Sequence, residues 1–207
     1  MTLGPVDDER MWADWLRGRM FDRRVVVVAG SLDDAVASRV AAELMTLDAC
    51  GDEAVQLMLD SAGGTLEAAL TVIDVIDLLG VPVHATCFGR AEGSAVGVFA
   101  VASRRVAAPH ARFRMCEPAS RFSGRASDVA AWATERERQL HRFSERLAAA
   151  SGQPVDSILA ATREGRYLDA HEASWFGLVD EIARPTAASV HPFARRPVGF
   201  GPKRPSR

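Results

Sequence analysis

Four consecutive valines at residues 25–28 constrain this chain more than any other stretch. A β-branched run without polar interruption forms a strand, and an apolar residue at every position is typical of a sheet covered on both faces. A polar, glycine-containing segment at 30–34 ends the run, and apolar residues at helical spacing follow from Val36 to Leu47. The stretch therefore predicts the first strand–helix unit of an α/β domain.

The same unit recurs along the chain. Strands are predicted at residues 55–59 and 81–88, each followed by a turn rich in small residues and then by an apolar helix. Further strand candidates are residues 105–107, 112–116 and 178–182. Strand–helix alternation implies crossover connections, so the sequence predicts a mostly parallel sheet.

Three regions are expected from the distribution of residue types. Residues 1–24 predict an N-terminal helical segment, residues 25–184 the α/β domain, and residues 185–207 a disordered basic tail with several prolines and no acidic residue. Within the domain, residues 127–151 predict a long helix whose apolar stripe is thin. Such a helix is expected to run along a surface or a partner rather than to fill a core.

Composition excludes several classes of function. The 207 residues carry a net charge of −2, which gives no overall tendency to bind nucleic acid. We found no run of the roughly 18–20 apolar residues that a membrane span needs, and no signal-peptide pattern at the N-terminus. Three widely spaced cysteines without a CxxC motif argue against zinc and for a reducing cytoplasm, and no cofactor is expected.

Two glycine-rich turns are the candidate site. The first contains Gly63 and Gly64, and the second contains Ser94 between Gly93 and Ala95. Several hydrolase folds carry a nucleophilic serine at a strand-to-helix turn of this kind, beside free backbone N–H groups. The N–H groups of Gly63, Gly64 and Ala95 would then form an oxyanion hole. Glycines in such turns also have a purely structural explanation, so neither turn identifies a function alone.

An ordered set of segments resembles the proteolytic subunit of Clp protease, the ClpP family. The matching residues are 24–30, 60–64, 87–89, 109–112, 124–128, 151–154 and 172–182. The resemblance implies a crotonase-like α/β fold of stacked βαβ units, with a handle helix at about residues 119–151. It also implies face-to-face rings that enclose a chamber, and AAA+ ATPases that feed unfolded polypeptides into it.

The resemblance implies a Ser–His–Asp triad, and this chain departs from it. Counting from Gly89 puts the family serine at Gly93, counting back from Gly97 puts it at Ala95, and Ser94 lies between as a displaced nucleophile candidate.

The other two triad positions also differ. The family histidine aligns with Cys116, and the family aspartate aligns with Gly165. His110, Glu92 and Glu117 lie near Cys116 in sequence, but His110 matches a non-catalytic family position and a carboxylate base for serine would be unusual.

Three hypotheses follow. The first is a non-catalytic subunit, similar to the inactive ClpR-type members, in homo- or hetero-oligomeric rings with other ClpP-like subunits. The second is an active serine peptidase with a rearranged site that uses Ser94. The third is acyl-CoA chemistry on the crotonase-like fold, which uses the same two-turn oxyanion hole. Any remaining peptidase activity is expected to be weak.

Overall fold

The structure is a computed structural model that describes residues 14–120 and 123–184. The predicted disordered tail, the first part of the N-terminal segment and two residues of the predicted handle region lie outside the described residues. Residues 14–21 are helical, in agreement with the amphipathic pattern of the N-terminal segment.

The main body alternates strands and helices. In chain order the elements are β1 (Val25–Leu32), α1 (Asp34–Ala49), β2 (Val55–Gly64), α2 (Leu66–Leu78), β3 (Val83–Glu92), α3 (Ser94–Ala100), β4 (Arg104–Ala107), β5 (Arg112–Arg114), α4 (Val129–Ser151), α5 (Val155–Glu164), β6 (Tyr167–Asp169), α6 (Ala170–Trp175) and β7 (Glu181–Ile182). A short 3-10 turn, Ala126–Asp128, leads into α4. None of the helices in the described ranges is both long and apolar enough to cross a membrane.

The sheet is mostly parallel, as the sequence predicts. Its strand order is β1-β2-β3-β4-β7, and every neighbouring pair in that order is parallel. Strand β3 pairs with two successive strands, because its first half pairs with β4 while its last residues, from Arg90 to Glu92, pair with β5. Strand β6 then pairs antiparallel with β5. This arrangement confirms the predicted α/β class and the stacked βαβ architecture.

Helices cover one face of the central strands. Residues of β2 alternate between buried positions and half-buried or exposed ones, so alternate side chains point into the core. Val25, Val26 and Val28 of β1 are buried, but Val27 is only half-buried. The expectation that the first strand is buried on both faces is therefore wrong at Val27, because its side of the sheet is only partly covered.

The strands that lead to the candidate site run further than their apolar runs suggest. Strand β2 continues to Gly64, so the prediction of a tight turn at residues 60–64 is wrong. Strand β3 likewise continues to Glu92. Main-chain pairing continues past the polar residues through a register shift between Leu59 and Ser61. The consequence is that both strands end directly at the first turn of a helix.

The buried residues of helix α4 all lie in its C-terminal half. Its buried residues begin at Phe143 and include Leu147 and Ala148, whereas Val129 at its start is 45% exposed. Arg146 anchors this half through Nε and Nη2 bonds to the Asp77 carboxylate, at 2.9 and 2.6 Å. The long surface helix expected from the thin apolar stripe is thus confirmed over Val129–Ser151.

Candidate active site

Gly93 forms the apex of the second strand-to-helix turn. It lies between the last residue of β3 and the first residue of α3, with φ 50° and ψ −118°. Its N–H donates to the carbonyl oxygen of Arg114 at 2.9 Å. Residues with side chains rarely adopt this positive φ, and a sharp, strained turn of this kind is where α/β hydrolases hold a nucleophile.

Ser94 begins helix α3 and points inwards. The residue is 0% exposed, and its Oγ accepts a hydrogen bond from the N–H of Gly64 at 2.9 Å. Ala95 follows it in the helix and is also fully buried. The hydroxyl that the sequence marks as a nucleophile candidate therefore faces the first glycine-rich turn.

The first turn, which is the junction where β2 ends at Gly64 and α2 begins, is packed too closely for side chains. A β-carbon on Gly63 would overlap the carbonyl oxygen of Glu92 and would lie 3.5 Å from the backbone nitrogen of Ser94. A β-carbon on Gly64 would overlap the carbonyl oxygen of Leu32. Only glycine permits this approach, and it brings the two turns into contact, as a two-turn oxyanion hole requires.

The amides of the two glycines have different partners. Ser61 is 0% exposed; its Oγ accepts from Gly63 N–H at 3.1 Å and donates to the Gly30 carbonyl at 2.6 Å. Gly63 is thus bonded within its own strand, whereas Gly64 is bonded across to Ser94.

Cys116 faces the apex of the second turn. Its Sγ and its carbonyl oxygen each lie 3.4 Å from the point that a β-carbon on Gly93 would occupy. Burial raises the pKa of the Cys116 thiol, the charge of Glu92 raises it further, and Arg114 and the Gly93 N–H oppose the rise. Because the thiolate is the reactive form, a raised pKa keeps this cysteine protonated and unreactive near neutral pH.

Gly165 lies between helix α5 and strand β6, beside Arg114. It ends helix α5 with φ 65°, and the Nη2 of Arg114 lies 3.7 Å from the point where its β-carbon would be. Met115 N–H donates to the Arg166 carbonyl at 2.8 Å, which joins the two segments. The fold therefore gathers the three positions that align with the family triad into one region.

Arg114 is a site residue that sequence reasoning missed. Its guanidinium lies 5.0 Å from the centre of the Tyr167 ring, and its Nε is buried without a hydrogen-bond partner among the described residues. The register of β5 places Arg114 opposite both Glu92 and Tyr167. That pairing depends on β6, a three-residue strand with no apolar run, so no local sequence signal could have revealed it.

Glu92 and two histidines outside the candidate site have side-chain partners of their own. Arg90 lies 3.8 Å from Glu92, His141 lies 3.3 Å from Glu145, and His84 Nδ1 lies 3.5 Å from Gln56 Nε2. The described ranges contain no group of His, Cys, Asp and Glu residues that could hold a metal ion.

Comparison with known proteins agrees with this geometry. The family model described as Clp protease matches residues 8–186. ATP-dependent Clp protease proteolytic subunit 3 of Rhodococcus jostii (strain RHA1) is 30% identical over 200 residues, which cover 95% of this chain and 98% of that protein. The resemblance seen in the ordered motifs is confirmed over most of the chain. This protein belongs to the Clp protease family, as a ClpP-like subunit.

Proposed function

We propose that this chain is a non-catalytic ClpP-like subunit of a Clp protease complex. It contributes the fold and the ring contacts, while the cleavage of polypeptides is carried out by other subunits. The observation that carries the proposal is that Gly93, at the apex of the second turn, faces Cys116 where a serine would need a histidine.

Chemistry explains why this arrangement is expected to be inactive. A serine hydroxyl attacks a peptide only when a histidine removes its proton and a carboxylate orients that histidine. Gly93 has no hydroxyl, Cys116 has no imidazole and Gly165 has no carboxylate. Without a triad, a site keeps about 10³–10⁴-fold acceleration over water, against about a millionfold more for the complete triad.

Ser94 is poorly suited to replace the missing nucleophile. Its side chain is fully buried, and its oxygen already accepts the N–H of Gly64. A peptide carbonyl would have to reach this oxygen through the packing between the two turns. These contacts favour the non-catalytic hypothesis over a rearranged peptidase.

Assembly into rings is supported by family membership and by the shape of helix α4. The N-terminal half of α4 has no buried residue, and most of its surface is exposed. We propose that it contacts other ClpP-like subunits, in homo- or hetero-oligomeric rings. An AAA+ ATPase that delivers polypeptides is part of the same proposal.

A labelling experiment tests the proposal. The purified full-length chain, alone and mixed with an active ClpP-type subunit, is treated with a fluorophosphonate probe and assayed with fluorogenic peptides. We expect no label on this chain and no turnover by this chain alone. The variants Ser94→Ala and Ser61→Ala form a matched pair, because both remove the hydroxyl of a fully buried serine.

Two outcomes would contradict the proposal. Label or turnover that is lost in Ser94→Ala but kept in Ser61→Ala would establish the rearranged peptidase. Marked thermal stabilisation by acyl-CoA compounds, but not by free coenzyme A, would favour the third hypothesis instead.

A further inference from the structure

We infer that the Ser94 hydroxyl is a built-in ligand of the oxyanion hole, which closes this pocket to a substrate carbonyl. The inference rests on the proposed function, because it treats the two turns as the remnant of a peptidase site. It adds a specific role for Ser94, as an acceptor that occupies the pocket rather than as a nucleophile that reacts in it.

The hydrogen bond between the two turns is the first argument. An oxyanion-hole amide acts by donating to an oxygen of the substrate in the transition state. The Gly64 amide already donates to Ser94 Oγ at 2.9 Å, a normal length for a strong N–H···O bond. A substrate oxygen would therefore have to displace an acceptor that belongs to the protein.

The packing of Ser94 is the second argument. The residue begins helix α3 and is 0% exposed, so neighbouring atoms hold its side chain in place. An acceptor held within the same chain competes at a very high effective concentration. A substrate, by contrast, loses translational and rotational entropy when it is positioned in the pocket. A buried amide must also keep some acceptor, so a substrate that enters has to replace this bond with one at least as good.

The amide of the neighbouring Gly63 shows that the hydrogen bond to Ser94 Oγ is specific to Gly64. Gly63 has its own buried serine, Ser61, which satisfies its amide within β2. The two adjacent amides thus each have a serine hydroxyl as acceptor, and only the acceptor of Gly64 comes from the other turn. This provides a matched control.

Hydrogen exchange at the two glycine amides tests the inference. The full-length protein is compared with Ser94→Ala and Ser61→Ala by mass spectrometry with residue-level fragmentation. In Ser94→Ala we expect the Gly64 amide to exchange about tenfold faster while Gly63 is unchanged, and in Ser61→Ala the reverse. Equal exchange of Gly64 in Ser94→Ala and the unmodified protein would overturn the inference.

The unmodified protein gives a test that needs no variant. If Ser94 holds the Gly64 amide, this amide is protected at least as strongly as that of Gly63. Exchange of Gly64 at the rate of an unstructured loop would overturn the inference even if Ser94→Ala failed to fold.

A restored site supplies the functional readout. In the triple variant Gly93→Ser, Cys116→His, Gly165→Asp, we expect the further change Ser94→Ala to raise kcat/KM by about 10²-fold, the typical contribution of one oxyanion donor. An active triple variant that gains nothing from Ser94→Ala would overturn the inference.

The two proposals fail in different ways. Fluorophosphonate labelling of Ser94 contradicts the proposed function, whereas rapid exchange of Gly64 contradicts the role of Ser94 as a built-in acceptor.

Discussion

The two strand-to-helix junctions of the candidate site have the same architecture and different constraints. At the end of β2, Gly63 and Gly64 have main-chain atoms of other segments directly against them. At the end of β3, the three atoms nearest to the point that a β-carbon on Gly93 would occupy belong to Cys116 and Glu117, and none is nearer than 3.4 Å. Packing thus requires glycine at the first junction, whereas the second junction could accommodate a small side chain.

This difference distinguishes functional groups of the backbone, such as amide donors, from functional groups of side chains. The amide of Gly64 is part of the backbone, so the packing that holds the sheet together also holds the donor in position. The nucleophile, base and orienting carboxylate of a triad are side chains, and the fold does not depend on them. A chain can therefore keep the form of an oxyanion pocket after it has lost the residues that react there.

The largest expected effect compares the two glycines directly. Gly64→Ala should lower the free energy of unfolding by more than about 3 kcal/mol, because its methyl group would overlap the main chain at Leu32. Gly93→Ala should lower it by about 1–2 kcal/mol, because only the positive φ is unfavourable. Urea unfolding at one fixed protein concentration measures both. Equal losses would mean that the junctions are equally constrained.

The next test removes a side-chain link between the junctions. Asp60 Oδ1, in β2, accepts the N–H of Arg90 in β3 at 3.0 Å. Asp60→Ala should lower the free energy of unfolding by about 1–2 kcal/mol, because that amide loses a charged acceptor. Asp60→Asn keeps an acceptor oxygen and should lose less. An Asn variant as unstable as the Ala variant would show that this bond does not hold the junctions together.

A smaller effect is expected when one triad side chain is restored. Gly165→Asp should change the free energy of unfolding by less than about 1 kcal/mol, because aspartate tolerates a positive φ and a pairing with Arg114 offsets the remaining strain. Gly165→Ala lacks the carboxylate and should be less stable than Gly165→Asp. A loss above about 3 kcal/mol for Gly165→Asp would show that the fold does constrain this position.

The smallest effect concerns the reactivity of Cys116. Because burial raises its pKa, less thiolate is present at any pH below that value, and alkylation by iodoacetamide should become appreciable only at alkaline pH. Cys87 is fully buried with its pKa raised to about 12, so it should remain unlabelled in the folded protein up to about pH 10. Peptide mass spectrometry over a pH series measures both, with exposed Cys50 as the internal reference. Rapid labelling of Cys116 at pH 7 would indicate an activated thiol.

Much of the fold follows from local sequence patterns. Apolar runs and helical spacing predicted the strands from β1 to β5 and the helices from α1 to α4, because these periods reflect which residues face a core. Strand β6 was missed, since three residues with one buried side chain carry no periodic signal. The end of β2 was misjudged because hydrogen bonds to neighbouring strands, rather than its own residues, extend it to Gly64.

The sequence alone determined the class and the family, and it assigned Cys116 and Gly165 to two triad positions while leaving the nucleophile position open between Gly93, Ser94 and Ala95. Only the tertiary structure decided that Gly93, rather than Ser94, lies at the apex of the turn, and that Ser94 bonds to Gly64, 30 residues away in the chain. It also placed Arg114 beside Gly165. The physical reason is that composition and periodicity report on short stretches of chain, whereas these contacts depend on the register of several strands and on the close approach of two turns.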